Sequence, residues 1–163
     1  MKKMGINLEN LSDGKKRKAV IKKLNKYYND SEEINIIKRV IKNYRESMEN
    51  LKSVASDVES IQGGGSKQED IIVNTIDKVK RLENKIIKIK LDNSDIINAL
   101  DDIKNNEAKQ IIMDVWFYKT ESMETIGRKL SMGKKKVWNI SNKTLCSMYD
   151  FIEKFNLYKN NTI

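Results

Sequence analysis

The chain of 163 residues contains no histidine, no proline and one cysteine, and its formal net charge is +9. The absence of histidine excludes Ser-His-Asp and Cys-His nucleophile systems and imidazole-ligated zinc sites, and a single cysteine excludes an internal disulfide or an all-thiolate zinc site. The absence of proline removes the strongest helix breaker and favours long uninterrupted helices. We therefore predict an all-α protein that is not an enzyme and that holds no metal ion or cofactor.

The positive charge lies at the two ends of the chain. Residues 1–62 carry 14 basic and 9 acidic side chains, residues 63–114 carry 9 and 10, and residues 115–163 carry 9 and 4. Each end is thus +5 and the middle is −1, which favours an anionic partner at the ends. The apolar runs are far shorter than the ~20 residues that span a bilayer, and no signal-peptide stretch begins the chain. We expect a cytoplasmic protein without a membrane partner.

Residues 1–30 form a basic N-terminal segment with one predicted helix, at residues 12–28. Val20, Leu24 and Tyr27 give this helix a narrow apolar stripe, and lysines and Arg17 cover the opposite face. A solvated surface helix and a phosphate-contacting helix both fit this pattern. The narrow stripe favours nucleic acid over a membrane surface, but the sequence assigns no partner to the lysines between residues 15 and 26.

Residues 31–91 have the pattern of a heptad helical hairpin. A first helix is expected at residues 31–61, with Ser31 as its N-terminal cap, and a second from about Gln68. The glycine-rich stretch at 62–66 predicts the loop between them. The 3–4 spacing runs through Ile34, Ile37, Ile41, Tyr44, Met48, Leu51, Ala55 and Val58, then through Ile72, Thr75, Val79, Leu82, Ile86 and Ile89. These seams can pair within one chain, or between chains as a homodimer, and the sequence leaves both open.

Residues 92–163 contain the pattern that indicates function. After a turn at 92–95, short helices are predicted at 96–103 and from Asn105 onwards. Residues 122–146 then fit a helix-turn-helix: a helix capped by Ser122, a turn at 131–133, and a second helix from Lys134. Gly127 fits this motif because the second helix must approach the first closely at that position.

The second helix of this motif carries the predicted DNA contacts. Its first ten residues, 134–143, are expected to dock in the major groove. Base-edge contacts are assigned to Lys134, Lys135, Asn139 and Asn142, and phosphate contacts to Arg128, Lys129, Lys136 and Lys143. Trp138 on the outer face is expected to pack on sugar, on a thymine methyl group or on another protein surface.

The C-terminal segments resemble region 4 of sigma-70 factors. The resemblance covers about residues 96–153 and is carried by residues 99–100, 106–112, 116–118 and 124–130, with Thr144, Leu145, Tyr149 and Ile152 continuing the last helix. Together with the basic N-terminal helix, the long helix around residues 44–51 and the glycine break, the layout resembles the ArpU/RinA family of phage and prophage late-gene regulators. Two positions depart from the motif: Ser131 stands where glycine is usual, and Gly133 where a Ser or Thr cap is usual.

The resemblance implies a DNA-binding transcriptional regulator, an activator of phage or prophage late genes, with double-stranded DNA as partner and RNA polymerase as a further candidate. One alternative is a coiled-coil interaction protein or sigma-like factor whose helix-turn-helix works through RNA polymerase. A more remote alternative is a DNA-packaging adaptor similar to a phage small terminase. The acidic pairs, including Asp92 with Asp95, are expected to be helix caps or solvated side chains, and Cys146 a small core residue. The operator sequence, and activation as against repression, are not indicated by the residues.

Overall fold

The computed structural model describes residues 11–57 and 65–161, with side chains for 11–54 and 67–161. This described part contains helices and no strand, which confirms the all-α class. Its helices are α1 (Asp13–Asp57), α2 (Gly65–Asp92), α3 (Ser94–Asp101), α4 (Asn106–Ile111), α5 (Met123–Lys129) and α6 (Lys134–Asn160), and a π-helical segment, Ile112–Phe117, continues α4. No helix in these two ranges combines the length and apolar character needed to cross a membrane. Most of the predicted loop at 62–66 lies outside the described residues.

The first helix is longer than predicted. α1 is one helix of 45 residues, so the predicted helix start at Ser31 is wrong. The reason is that no glycine or proline separates residues 28 and 31, and each added helical residue gains a hydrogen bond without a new nucleation cost. A Ser-Glu-Glu sequence that could cap a helix therefore lies inside one.

The chain divides into two compact units. Of the described residues, 11–28 and 94–161 form one unit, the terminal unit, and 29–57 and 65–93 form the other, the central unit. The N-terminal turns of α1 thus belong with the C-terminal helices, although more than 60 residues separate them along the chain.

In the central unit, every predicted seam position whose side chain the structure describes is buried or half-buried. Ala55 and Val58 lie outside those described side chains. Ile37, Ile41 and Val79 are buried, and Tyr44, Leu82, Ile86 and Ile89 pack against them. Arg45 pairs with Glu83 and Lys85 with Glu33, both at 2.6 Å. Gln68 Nε2 donates to Leu51 O at 2.9 Å, whereas Lys85, later in α2, pairs with Glu33, earlier in α1, so the two helices run in opposite directions. Because exposed ion pairs contribute at most about 1 kcal/mol each, the apolar seam supplies most of the stability.

The core of the terminal unit joins the N-terminal turns of α1 to the C-terminal helices. Val20 and Leu24 are fully buried, and they share one cluster with Ile96, Ala99, Leu100, Ile112, Phe117, Leu145, Met148 and Ile152. Tyr27 and Tyr28 lie against the Phe117 ring, with centroids at 5.3 and 5.6 Å. The predicted apolar stripe of the basic helix is therefore a core face, and Lys15, Lys18 and Lys22 are exposed on the other side.

A charged pair also ties α1 to α3. Asp95, predicted to be a cap or a solvated side chain, is buried, and its carboxylate accepts from Lys23 Nζ at 2.6 Å. Burial alone would raise the pKa of the Asp95 carboxyl, but hydrogen bonds from Lys23 and from the Ile96 N–H outweigh burial and lower the pKa below its ordinary 3.8. Asp95 is thus a structural ion-pair partner in the terminal unit.

Candidate nucleic-acid interface

α5 begins at the predicted cap. Ser122 has an extended backbone, and its Oγ accepts from the Thr125 N–H at 3.1 Å. Glu124 lies in the first turn of the helix, where an acidic side chain interacts favourably with the helix dipole. The local sequence therefore determines where α5 starts.

The connection between α5 and α6 is held by main-chain contacts around Gly127. The Met132 N–H donates to Gly127 O at 2.8 Å. A β-carbon at Gly127 would lie 2.7 Å from Met132 O, so only glycine fits there without a shift of the backbone. Ser131 has a φ of 54°, which is the left-handed conformation that glycine adopts at this point of the usual motif. Gly133 precedes α6 and offers no side-chain cap.

A small apolar cluster fixes the first turns of α6 against α5. Ile111, Ile126 and Val137 are fully buried, and the side chains packed around them are Val115, Met123, Leu130, Met132 and Ile140. The cluster draws on α4, the π-helical segment, α5 and α6. The orientation of residues 134–143 is therefore set by packing on one side only, and their other side is left to solvent.

The π-helical segment adds a contact that the sequence did not predict. Trp116 Nε1 donates to Ser141 Oγ at 2.8 Å, and Ser141 is fully buried on the inner face of α6. The N–H groups of Thr120 and Glu121 donate to Asp114 O at 3.0 and 3.2 Å and close the segment. The burial of Ser141 could have been predicted from its position between Val137 and Leu145 on the apolar face of α6. Its hydrogen bond with Trp116 could not.

The outer face of α6 holds the predicted base-contacting residues. At about 100° per residue, Lys135, Asn139 and Asn142 fall within an arc of about 60°. Six of the predicted side chains in α6 are exposed, namely Lys134, Lys135, Lys136, Trp138, Asn139 and Lys143, and Asn142 is half-buried. Trp138 is 47% exposed, a large apolar area to leave in water. Lys143 lies on the flank facing the α3–α4 connection, where it lines a shallow pocket of about 240 Å³ with Asn105 and Phe151.

The predicted cations of α5 differ from those of α6 in having carboxylate partners. Arg128 pairs with Glu124 at 2.7 Å, and Lys129 pairs with Glu121. The hydrogen bond from Arg128 lowers the pKa of Glu124, and the hydrogen bond to Glu121 raises the pKa of Lys129. To bind a DNA phosphate, Arg128 and Lys129 would each have to give up a carboxylate partner. Among the described residues, no carboxylate lies within ion-pair distance of the lysines at 134, 135, 136 and 143.

The described side chains include no group of three or more cysteine, aspartate or glutamate residues that could hold a metal ion. No family model matches the chain, and no curated protein or solved structure matches it significantly.

Proposed function

We propose that this chain is a non-enzymatic, sequence-specific DNA-binding transcriptional regulator, and that α5, the turn at 130–133 and α6 form its helix-turn-helix. Residues 134–143 would dock in the major groove of double-stranded DNA. The resemblance to phage late-gene regulators favours an activator of phage or prophage late genes, with RNA polymerase as a further partner.

The observation that carries this proposal is the charge at the start of α6. Lys134, Lys135 and Lys136 occupy the first turn of α6, which contains no acidic residue. Glu124 of α5 interacts electrostatically with Lys134 but already pairs with Arg128. Cations at a helix N-terminus oppose the helix dipole, at a cost of about 0.3–1 kcal/mol each. An anion bound at the start of α6 offsets this repulsion. Such an anion is attracted by the lysines, by the free main-chain N–H groups and by the positive end of the helix dipole. A duplex with a phosphate at each edge of its major groove supplies that charge.

The positions of the side chains support separate roles for them. Lys135, Asn139 and Asn142 share the outer arc of α6, where Asn pairs with adenine and Lys reaches guanine acceptors. Lys134 begins the helix and is a fourth base-contact candidate. Phosphate contacts are proposed for Arg128, Lys129, Lys136 and Lys143, and a sugar, methyl or protein contact for Trp138.

We further propose that the seam of α1 and α2 is a heptad helical hairpin within one chain and that a second copy pairs with it. The support is a second apolar stripe on α2, formed by Val73, Ile76, Ile87 and Leu91, which are 50–60% exposed. At about 100° per residue these four side chains fall within an arc of about 60°, and buried Val79 lies outside that arc. The same stripe favours the alternative function, a coiled-coil interaction protein that works through a protein such as RNA polymerase.

The test is selection of duplexes from a random-sequence pool, followed by mobility shift on a selected and a scrambled duplex. The variant Lys135→Ala with Asn139→Ala should lose most of the preference for the selected duplex, because each good base contact discriminates by about 1–3 kcal/mol. A matched control is Arg39→Ala with Asn43→Ala, which removes a cation and an asparagine at the same spacing from exposed positions of α1 in the central unit.

The control should keep the preference of the wild-type protein. A pool that yields no enriched duplex would refute the proposal. An unchanged preference in the Lys135/Asn139 variant would refute the docking face. A duplex-indifferent oligomer in the ultracentrifuge would favour the interaction protein, and ring-sized assemblies would favour a packaging adaptor.

A further inference from the structure

The start of α1 lies against α6 just after the proposed groove-facing residues. The Cys146 Sγ lies 3.8 Å from Asp13 O, and Lys16 Nζ pairs with Asp150 Oδ1 at 2.8 Å. Lys16 Nζ also lies 5.7 Å from the centre of the Tyr149 ring. Since Asp13 lies beside Cys146 and Lys16 beside Asp150, the two helices run in the same direction here.

This contact determines how much of the outer face of α6 a duplex can use. Cys146 follows Asn139 by two helical turns and lies on nearly the same side of α6, about 10 Å further along the axis. The outer face is therefore open over residues 134–143, and α1 lies against it at Cys146, Tyr149 and Asp150. The open length is about 15 Å. The start of α1 is the next element along α6 beyond the proposed groove-facing residues.

The lysines of α1 are sorted into two groups. Lys16 and Lys23 point towards the terminal unit and are paired with Asp150 and Asp95. Lys15, Lys18 and Lys22, spaced by three and four residues, are exposed on the side of α1 opposite Val20 and Leu24. None of these three has a carboxylate within ion-pair distance in the part of the chain that the structure describes. We call them the α1 lysine stripe.

We propose that the α1 lysine stripe binds the phosphate backbone of the same duplex, next to the groove that α6 enters. This inference rests on the proposed DNA-binding function and gives the basic N-terminal helix a partner. Buried Val20 and Leu24 hold the stripe in place, so its lysines approach DNA as part of a rigid surface. The stripe contributes affinity and no sequence preference, because phosphate contacts carry no base information.

The experiment compares a triple variant, Lys15→Gln, Lys18→Gln and Lys22→Gln, with the wild-type protein on the selected and the scrambled duplex. Affinity for both duplexes should fall at least tenfold at about 0.1 M salt, with their ratio unchanged. The slope of log Kobs against log salt should become shallower by up to about 2.7, since each phosphate contact contributes about 0.9. The matched control is Lys67→Gln, Lys88→Gln and Lys90→Gln, which removes the same charge from exposed positions of α2 outside its apolar stripe.

A shortened duplex tests where the stripe binds. When the base pairs on the α1 side of the selected site are removed, the wild-type protein should bind no better than the stripe variant. If circular dichroism shows that the triple variant folds poorly, the single variant Lys18→Gln is measured instead. It is expected to make the salt slope shallower by about 0.9.

Several outcomes would overturn the inference and leave the proposed function intact. In the first outcome, the stripe variant has the same salt slope as the wild-type protein, and the variant Lys135→Ala with Asn139→Ala still loses the sequence preference. Another is equal loss of affinity in the α2 control, which would mean that net charge matters and position does not. A third is a variant that binds duplex normally but no longer binds phosphatidylserine vesicles, which would assign the stripe to a membrane surface.

Discussion

The Met132 main chain folds back onto Gly127, with its N–H 2.8 Å from Gly127 O and its carbonyl oxygen 2.7 Å from where a Gly127 β-carbon would lie. Real β-carbons essentially never come this close to a backbone oxygen. The pair therefore determines the path of the chain between α5 and α6. It also brings Val137 Cγ2 within 3.4 Å of the same point, so the start of α6 depends on it.

We expect Gly127→Ala to lower the free energy of unfolding by about 1–3 kcal/mol, because either the turn or α6 must shift. Denaturant unfolding followed by circular dichroism measures this. Gly133→Ser is the matched control: a β-carbon at Gly133 would have no neighbour within 4 Å, and a serine there can cap α6 and add a few tenths of a kcal/mol. Equal stability of the Gly127 variant and the wild-type protein would contradict the geometry of the turn.

Ser131 holds a backbone conformation that glycine adopts more easily. The left-handed conformation costs a non-glycine residue roughly 1–2 kcal/mol, and glycine loses more entropy on folding, which offsets part of that cost. We expect Ser131→Gly to raise the free energy of unfolding by about 0.5–1 kcal/mol. Ser147→Gly, at an exposed position inside α6, should instead lower it by about 0.5 kcal/mol. If Ser131→Gly and Ser147→Gly both lowered the free energy of unfolding, the turn would not require the left-handed conformation.

Removing the charge of Glu121 should strengthen DNA binding. In Glu121→Gln the Lys129 ammonium loses its carboxylate partner and becomes available to a phosphate. The salt slope on duplex DNA should steepen by up to about 0.9 and affinity should rise on both selected and scrambled duplexes. Glu107→Gln, an exposed change of equal charge on α4, provides the comparison. If the two variants gain the same affinity, release of Lys129 is not the cause.

The Lys23–Asp95 pair should make stability depend on pH in the acid range. A carboxyl whose pKa is lowered by folding stabilises the fold above its unfolded-state pKa, and this contribution is lost as the pH falls through the lower folded-state pKa. Asp95→Asn should therefore be about 1–2 kcal/mol less stable than the wild-type protein at pH 7. The difference should shrink as the pH falls below about 3.8.

Urea unfolding at pH 7 and at a series of acid pH values measures this difference. Asp92→Asn, an exposed substitution three residues away, should stay within about 0.5 kcal/mol of the wild-type protein throughout. If the difference in the free energy of unfolding between Asp95→Asn and the wild-type protein stayed constant down to the lowest pH, ionised Asp95 would not be the source of that difference.

The helical elements were largely predictable because their signals are local. Ser122 caps α5 and Asn105 caps α4, each through a side-chain oxygen that accepts from a main-chain N–H three residues later. The same local reasoning failed at Ser31, where a good capping sequence lies inside a continuous helix. A cap stabilises a helix start only where the chain before it leaves the helix, and residues 28–30 do not.

The candidate interface was only partly predictable. The exposure of Lys135 and Asn139 followed from helical periodicity, because their side of α6 is opposite Val137. The carboxylate partners of Arg128 and Lys129 and the hydrogen bond from Trp116 to Ser141 depend on the path of the chain between the helices. Glu124 lies one turn from Arg128 and could have been foreseen, whereas Glu121 reaches Lys129 only because the turn before α5 folds back.

The amino-acid sequence by itself determined that the chain is helical, where most of its helices begin, and which side of each helix is apolar. These properties follow from composition, capping and periodicity, which act over a few residues. Only the tertiary structure decided that the basic start of α1 lies beside α6, with Lys16 on Asp150, because residues 134 apart in sequence meet only when the whole terminal core assembles. The +9 net charge is therefore not spread evenly over the chain: in the terminal unit, some lysines are paired inside and others are left exposed on neighbouring helices.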